Sequence, residues 1–259
     1  MTRFMAYNIY QGGTGRLPLV AQAIRDAAPD VVGISEANGW GERQGARLNE
    51  VARATGLSPA GFARANTPFD LALLSRPAPR SIRSWSEGLW HAALEAVFEF
   101  PQIGEMEAIV VHLDPRAETN RLAELREIVQ RLKRCPNALL MGDLNSLSPD
   151  DPYDRDRLLT DLRSRGITKF GTEALRFDCI AFLQDAGFVD VRTALGKPFI
   201  PTVPTPMNED RHHEGDGLRL DYGFITPSLI PRLLDASVFR TPATEQASDH
   251  YPLVIDFDL

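Results

Sequence analysis

The chain has 259 residues, enough for one large domain with a substantial core, and its 43% hydrophobic and 24% charged residues are ordinary globular values. No apolar run approaches the about 18 residues that a membrane span needs. A formal net charge of −7 argues against a broad basic face for nucleic acid, though it leaves room for a local groove.

In chain order, the first strand pattern is Phe4–Ile9, with no basic-then-apolar leader before it, so a cytoplasmic protein is expected. A helix over Pro18–Ala28 leads to a second strand, Val31–Ser35. A helix over Arg47–Thr55, ended by Gly56, precedes a strand at Leu71–Ser75. Leu94–Phe100 and Glu107–His112 are joined by Pro-Gln-Ile-Gly and read as an antiparallel hairpin. The clearest helix starts at Thr119 as N-cap, runs an apolar stripe through Leu122, Leu125, Val129 and Leu132, ends with Lys133 and Arg134, and is stopped by Pro136. Leu139–Gly142 is the next strand, and Ala174–Ala186 the next helix, ended by Gly187. An irregular stretch, Pro198–Gly217, precedes the strand patterns Leu218–Thr226 and Leu253–Leu259. Mixed pairing argues against a doubly wound sheet and for an α/β (α+β) fold, two packed mixed β-sheets with helices outside. No repeat or linker divides the chain, so 1–259 reads as a single domain. Cys135 and Cys179 lack metal-ligand spacing and read as reduced structural thiols.

Polar residues gather at the ends of these apolar strands, where a sheet holds a side chain still. Asn8 ends the first strand and can orient a phosphate or a metal-bound water. Glu36 ends the second and is a natural Mg2+ ligand, because Mg2+ takes one or two carboxylates and keeps several waters. His112 can hold a phosphate oxygen or protonate a leaving group. Asp143 and Asn145, two apart in Gly-Asp-Leu-Asn-Ser, can bind metal or align water and donate to developing charge. Asp221 sits in Leu-Arg-Leu-Asp-Tyr-Gly-Phe-Ile, where a charge is costly unless paired; Arg219 is the bland partner. In Asp249-His250 the imidazole reads as general base, with Asp249 as its orienter or as a metal ligand. Phosphoester cleavage needs an activated water, neutralised phosphate charge and help for the leaving group, and this set can supply all three.

Taken together, Asn8, Ile-Ser-Glu36, His112-Leu, Gly-Asp143-Leu-Asn145, Arg-Leu-Asp221-Tyr and Ser-Asp249-His250-Tyr-Pro resemble the ordered motifs of the endonuclease/exonuclease/phosphatase superfamily, from Phe4 to Leu259. The resemblance implies a four-layer sandwich, divalent-metal dependence (Mg2+ or Mn2+) and phosphate-ester hydrolysis. It implies Glu36 as main metal ligand, with Asn8, Asp143 and Asn145 around the phosphate and the water. Asp249 and His250 act as a pair, supported by Asp221, and His112 matches the branch with a second catalytic histidine. Ser35 departs from the Gln usual before the metal-binding Glu. Where members carry two histidines the second usually has a carboxylate brace; Asp70 is the candidate for His112.

The leading expectation is a monomeric, metal-dependent hydrolase of a small phosphodiester or phosphomonoester. The alternative is a DNA or RNA nuclease, with Arg47, Arg53, Arg64, Arg76, Arg80 and Arg83 lining a groove. A catalytically inactive binding scaffold is the third reading. Met207, Arg211, His212 and His213, in the loop before the Asp221 strand, are candidate substrate contacts.

Overall fold

The computed structural model describes residues 1–132, 135–208 and 217–259. In chain order its strands are β1 (Thr2–Asn8), β2 (Val31–Ser35), β3 (Ser58–Ala63), β4 (Leu71–Ser75), β5 (Ser81–Trp85), β6 (Ala93–Phe100), β7 (Gly104–His112), β8 (Ala138–Asp143), β9 (Val189–Asp190), β10 (Asp221–Ile225), β11 (Leu233–Val238) and β12 (Leu253–Phe257). They form two six-stranded mixed sheets, ordered β11-β12-β1-β2-β4-β3 and β5-β6-β7-β8-β10-β9. The helices among the described residues are α1 (Leu17–Ala27), α2 (Glu42–Thr55), α3 (Glu118–Leu132), α4 (Arg155–Ser164), α5 (Asp178–Asp185), α6 (Val191–Ala194) and α7 (Pro242–Ala247).

The central strands are apolar on both faces because both faces are buried. On β1, Phe4 and Ala6 point into the core between the sheets, while Met5 and Tyr7 point out under α1, α2 and α7. Across the second sheet, Ile109, Val111 and Leu140 pack outward against α3 and α5. Helices, sheet, sheet, helices are the four layers. Phe4 fills the middle, edge-on to Phe98 and Phe257 at centroid distances of 6.3 and 5.8 Å. The sheets approach closely at Gly33, where a Cβ would meet a Val110 methyl at 2.4 Å.

The strands missing from the sequence reading share one property. β3, β5, β9 and β11 are the four sheet edges. β3 contains Pro59 and Gly61 at a register shift, β5 is largely exposed, and β11 is irregular between Leu233 and Asp235. Edges carry weak apolar alternation, and bulges and proline blunt them. Helix bounds also differ. The third helix starts at Glu118 rather than after Thr119, because Glu118 is buried and accepts hydrogen bonds from Arg121, Ser146 and the Cys179 amide. Lys133 and Arg134 lie outside the described residues. The expected Ala174–Ala186 helix is only Asp178–Asp185, and α4, α6 and α7 are additional. α2 has left-handed φ at Arg43, Gln44 and Gly45, so its regular part agrees with the expected Arg47–Thr55. Among the described residues, no helix is long and apolar enough to cross a membrane.

A cavity of about 630 Å³ is lined by Glu95, Glu107, Arg83 and Arg131 at the start of β7, away from the strand-end candidates such as Glu36, Asp143 and His250. Burial, reinforced by Glu95, pushes the Glu107 carboxyl from 4.5 up to about 7. The folded state therefore binds the proton more tightly than the unfolded one. This stability is fully present below pH 4.5 and is lost as pH rises through about 7. Glu107→Gln keeps the protonated shape at all pH values. In thermal melts it is expected to raise Tm by about 2–4 °C at pH 8, roughly 1 kcal/mol for a chain of this size. At pH 4 the difference should vanish; an equal shift at both pH values would refute the assignment.

Candidate active site

The topology brings the polar strand ends together. β1 and β2 run parallel, as do β7 and β8, so the C-terminal ends of all four lie at one end of the sandwich. β10 runs antiparallel to β8 and β12 antiparallel to β1, which delivers Asp221 and the Asp249-His250 segment to that same end. Cross-strand register sets Asn8 beside Ser35, and Asp143 beside both His112 and Asp221.

Asp143 is the hub. Gly142 before it has φ of 139°, and a Cβ there would meet the Val111 carbonyl at 2.0 Å, so the Gly of Gly-Asp-Leu-Asn is a backbone requirement. Asp143 Oδ1 accepts from the Asn145 amide at 2.8 Å. Asp143 Oδ2 accepts from Asn8 Nδ2 at 3.0 Å and lies 3.5 Å from His112 Nε2 and 3.8 Å from His250 Nε2. Asn8 also donates to Glu36 Oε1 at 3.2 Å, while its Oδ1 accepts from the Tyr10 amide at 3.0 Å, which fixes the amide orientation. Glu36 Oε2 accepts from the Gln11 amide at 2.7 Å. Asn145 Nδ2 donates to the Leu113 carbonyl at 3.2 Å. Glu36 and Asn145 both adopt left-handed φ, 59° and 50°, a strain that the surrounding hydrogen bonds sustain.

His250 Nδ1 donates to Asp221 Oδ2 at 2.8 Å. Asp221 is therefore the orienter of His250, in keeping with the supporting role that the resemblance implies; of the two roles expected for Asp249, orienter or metal ligand, the first falls to Asp221. Adjacent residues on an extended segment point apart, which leaves Nδ1 to the carboxylate from β10. Asp249 instead accepts from Ser248 Oγ at 3.3 Å and lines the same cavity as His250. Ser248 Oγ also donates to the Asn8 carbonyl at 2.7 Å, tying this segment to β1. Burial disfavours a charged His250 ring, but Asp221, Asp143 and Asp249 outweigh it and hold its pKa well above the ordinary value. The Arg219 alternative for Asp221 is also excluded: Arg219 pairs with Asp151 and Asp190.

Asp70 does not brace His112. Among the described residues nothing hydrogen-bonds His112 Nδ1. Asp70 Oδ1 accepts from the Ala65 amide at 3.0 Å, and its carbonyl accepts from the Ala37 amide at 2.7 Å, so it shapes the turn after Glu36. Arg211, His212 and His213 lie outside the described residues. Met207 packs by its sulfur against Arg16, 3.3 Å from the guanidinium.

Glu36, His112, Asp143, Asn145, Asp249 and His250 line a cavity of about 180 Å³. Phe69, His91 and Lys169 line it too. The sequence reading missed these three; they come from loops or strand starts and belong to no strand-end motif. Asp143, Asp221 and His250 offer ligand atoms within 4.8 Å of one another, a group that can hold a metal ion. Asp221 and His250 spend the facing atoms on each other, however. Glu36 and Asp143, two carboxylates joined by one Asn8 amide, are the better donor set for a hard, oxygen-seeking dication.

Residues 5–250 match the Endonuclease/Exonuclease/phosphatase family. The chain belongs to that family. Comparison with curated proteins gives no match. Solved structures with the same family fold include an AP endonuclease from Archaeoglobus fulgidus, at 20% identity and TM-score 0.74. A 3′ phosphatase from Neisseria bound to a product DNA hairpin aligns at 20% identity and TM-score 0.75. A family protein from Leptotrichia buccalis aligns at 12% identity and TM-score 0.72. In each case 100% of both chains is covered. Family membership supports a hydrolase acting on phosphoester bonds.

Proposed function

We propose that residues 1–259 form one catalytic domain, acting as a cytoplasmic monomer, that hydrolyses a phosphodiester or phosphomonoester bond with Mg2+ or Mn2+. The observation that carries this reading is the convergence of Glu36, Asn8, Asp143, His112, Asp221 and His250, from separate elements, in and behind one cavity. Glu36 and Asp143 would hold the metal ion, with Asn8 aligning both carboxylates and Asp249 a further carboxylate on the same wall. Bound there, a dication supplies charge against the phosphate oxygens and lowers the pKa of water.

The chain's own groups carry the rest. Asp221 holds His250 Nδ1–H, which leaves Nε2 as the ring nitrogen turned toward Asp143. At 3.8 Å the two are too far apart for a direct hydrogen bond; with Asp143 engaged on a metal ion, the carboxylate charge that keeps the ring protonated would be offset, and Nε2 would be free to take the proton of a water seated against both. Asn145 and His112 face the developing charge and the leaving group from the other wall, and Lys169 adds a cation at the rim.

A small ester is the favoured substrate because the cavity is narrow and three of the arginines expected to line a groove lie away from it, by the starts of β2 and β7 or along β5, already paired. Arg76 bonds Asp30, Arg80 bonds Glu99 and Glu105, and Arg83 lies against Glu95. One observation supports the nuclease reading: Arg47 and Arg64 line an open cleft of about 530 Å³ with Gln11 and Thr67, next to Tyr10 and Phe69 of the site. The solved relatives named as an AP endonuclease and as a 3′ phosphatase bound to DNA lean the same way.

The test is turnover of bis-p-nitrophenyl phosphate, p-nitrophenyl phosphate, and plasmid and single-stranded DNA, with Mg2+ or Mn2+ and after chelation. Hydrolysis lost on chelation and restored by metal is expected, and rejects the binding-scaffold reading. Turnover indifferent to chelator would sink the metal assignment. DNA cleavage faster than small-ester turnover and steeply weakened by salt would put the nuclease first.

A further inference from the structure

His112 occupies the position where a braced histidine is expected, yet among the described residues no carboxylate reaches its Nδ1. That nitrogen is buried without a partner. What meets the ring instead is another imidazole. His91 stacks on His112 with centroids 4.2 Å apart and planes 13° from parallel. Phe69 closes the group, edge-on to His91 at 5.3 Å and to His112 at 6.1 Å.

His91 is itself tethered. It is fully buried, and its Nδ1 lies 2.5 Å from Thr67 Oγ1, a hydroxyl that also accepts from the Phe69 amide. The backbone is held as well. Glu124 accepts from the amides of Trp90 and Asp114, linking the segment that carries His91 to the segment that follows His112. Among the described residues His91 Nε2 has no hydrogen-bond partner. Burial, with His112 and Arg116 nearby, pushes the His91 pKa down to about 2, so two facing rings do not both carry charge.

We propose, resting on the hydrolase reading above, that His91 is a positioning residue: tethered by Thr67, its ring holds His112 in register with Asp143 by stacking, in place of a carboxylate brace. His112 Nε2 then keeps its place 3.5 Å from Asp143 Oδ2. Small errors in such placement reduce the chemical step more than binding.

The test uses the full-length protein and four variants: His91→Leu, which removes the ring; His91→Phe, which keeps it; His112→Ala; and His91→Leu combined with His112→Ala. His91→Leu is expected to lower kcat on bis-p-nitrophenyl phosphate about 10-fold with KM within about two-fold. His91→Phe recovers most of that loss, and His91→Leu adds no further loss in a His112→Ala background. In ring-labelled NMR spectra, the His112 Cε1–H resonance carries the ring-current shift of a stacked neighbour in wild type and His91→Phe and loses it in His91→Leu. Equal kcat for His91→Leu and wild type, equal loss in the Leu and Phe variants, or full loss persisting without His112 would overturn the positioning role. So would a His112 resonance indifferent to His91→Leu. No turnover by the wild type on any ester overturns the hydrolase reading itself, while the NMR comparison still reports on the stack.

Discussion

His250→Ala lowers kcat on bis-p-nitrophenyl phosphate by about 10²-fold or more, the usual cost of losing a positioned acid–base group. The ring is buried, bonded through Nδ1 to Asp221, and turned through Nε2 toward Asp143 across 3.8 Å. Removing it leaves Asp143 as the remaining acceptor facing the water. It also strips Asp221 of its hydrogen-bond partner, so the fold must be checked by circular dichroism and thermal melting. His250→Gln offers a control of similar reach without an imidazole. Activity that survived both substitutions, in folded protein, would remove His250 from the proton-transfer step. Because Glu36 and Asp143 are untouched by these changes, binding of Mn2+ measured by calorimetry should persist. Its loss would point to a metal role for the imidazole instead.

Asp221→Asn is expected to cost more than Asp249→Asn, about 10³-fold against about 10-fold in kcat. The order separates the structure from the motif. Chain adjacency makes Asp249 the obvious partner of His250, but Asp221 is the carboxylate bonded to Nδ1, at 2.8 Å. An asparagine at 221 is free to present its amide nitrogen, a donor, to Nδ1. The ring would then carry its proton on Nε2, the wrong nitrogen for accepting one from water. Asp249 bonds Ser248 and lines the cavity, so its substitution should show first in metal affinity rather than in kcat. Steady-state kinetics across Mg2+ concentrations checks both statements. Equal losses, or a larger loss at Asp249 at saturating metal, would reverse the assignment of the two carboxylates.

The sequence reading reached far where one physical rule applied without competition. Phe4, Val31 and Leu139 begin apolar runs because their strands are covered on both faces, and such runs stand out from any loop. Asn8, Glu36, His112 and Asp143 were legible because each ends one of those runs. Edge strands were lost for the opposite reason: Pro59, Gly61 and the exposed face of β5 are what keep an edge from pairing with another chain, and they erase the pattern. Phe69, His91 and Lys169 carry no periodic signal at all.

The one-dimensional chain thus determined which chemical groups exist and that each stands where a buried strand stops, because burial is written in local apolar pattern. Which group faces which was decided only in three dimensions. Asp221 meets His250, His91 covers His112, and Asp70 turns to Ala65, because sheet register and side-chain direction set those pairings over separations of 29, 21 and 5 residues, and neither is encoded in spacing along the backbone.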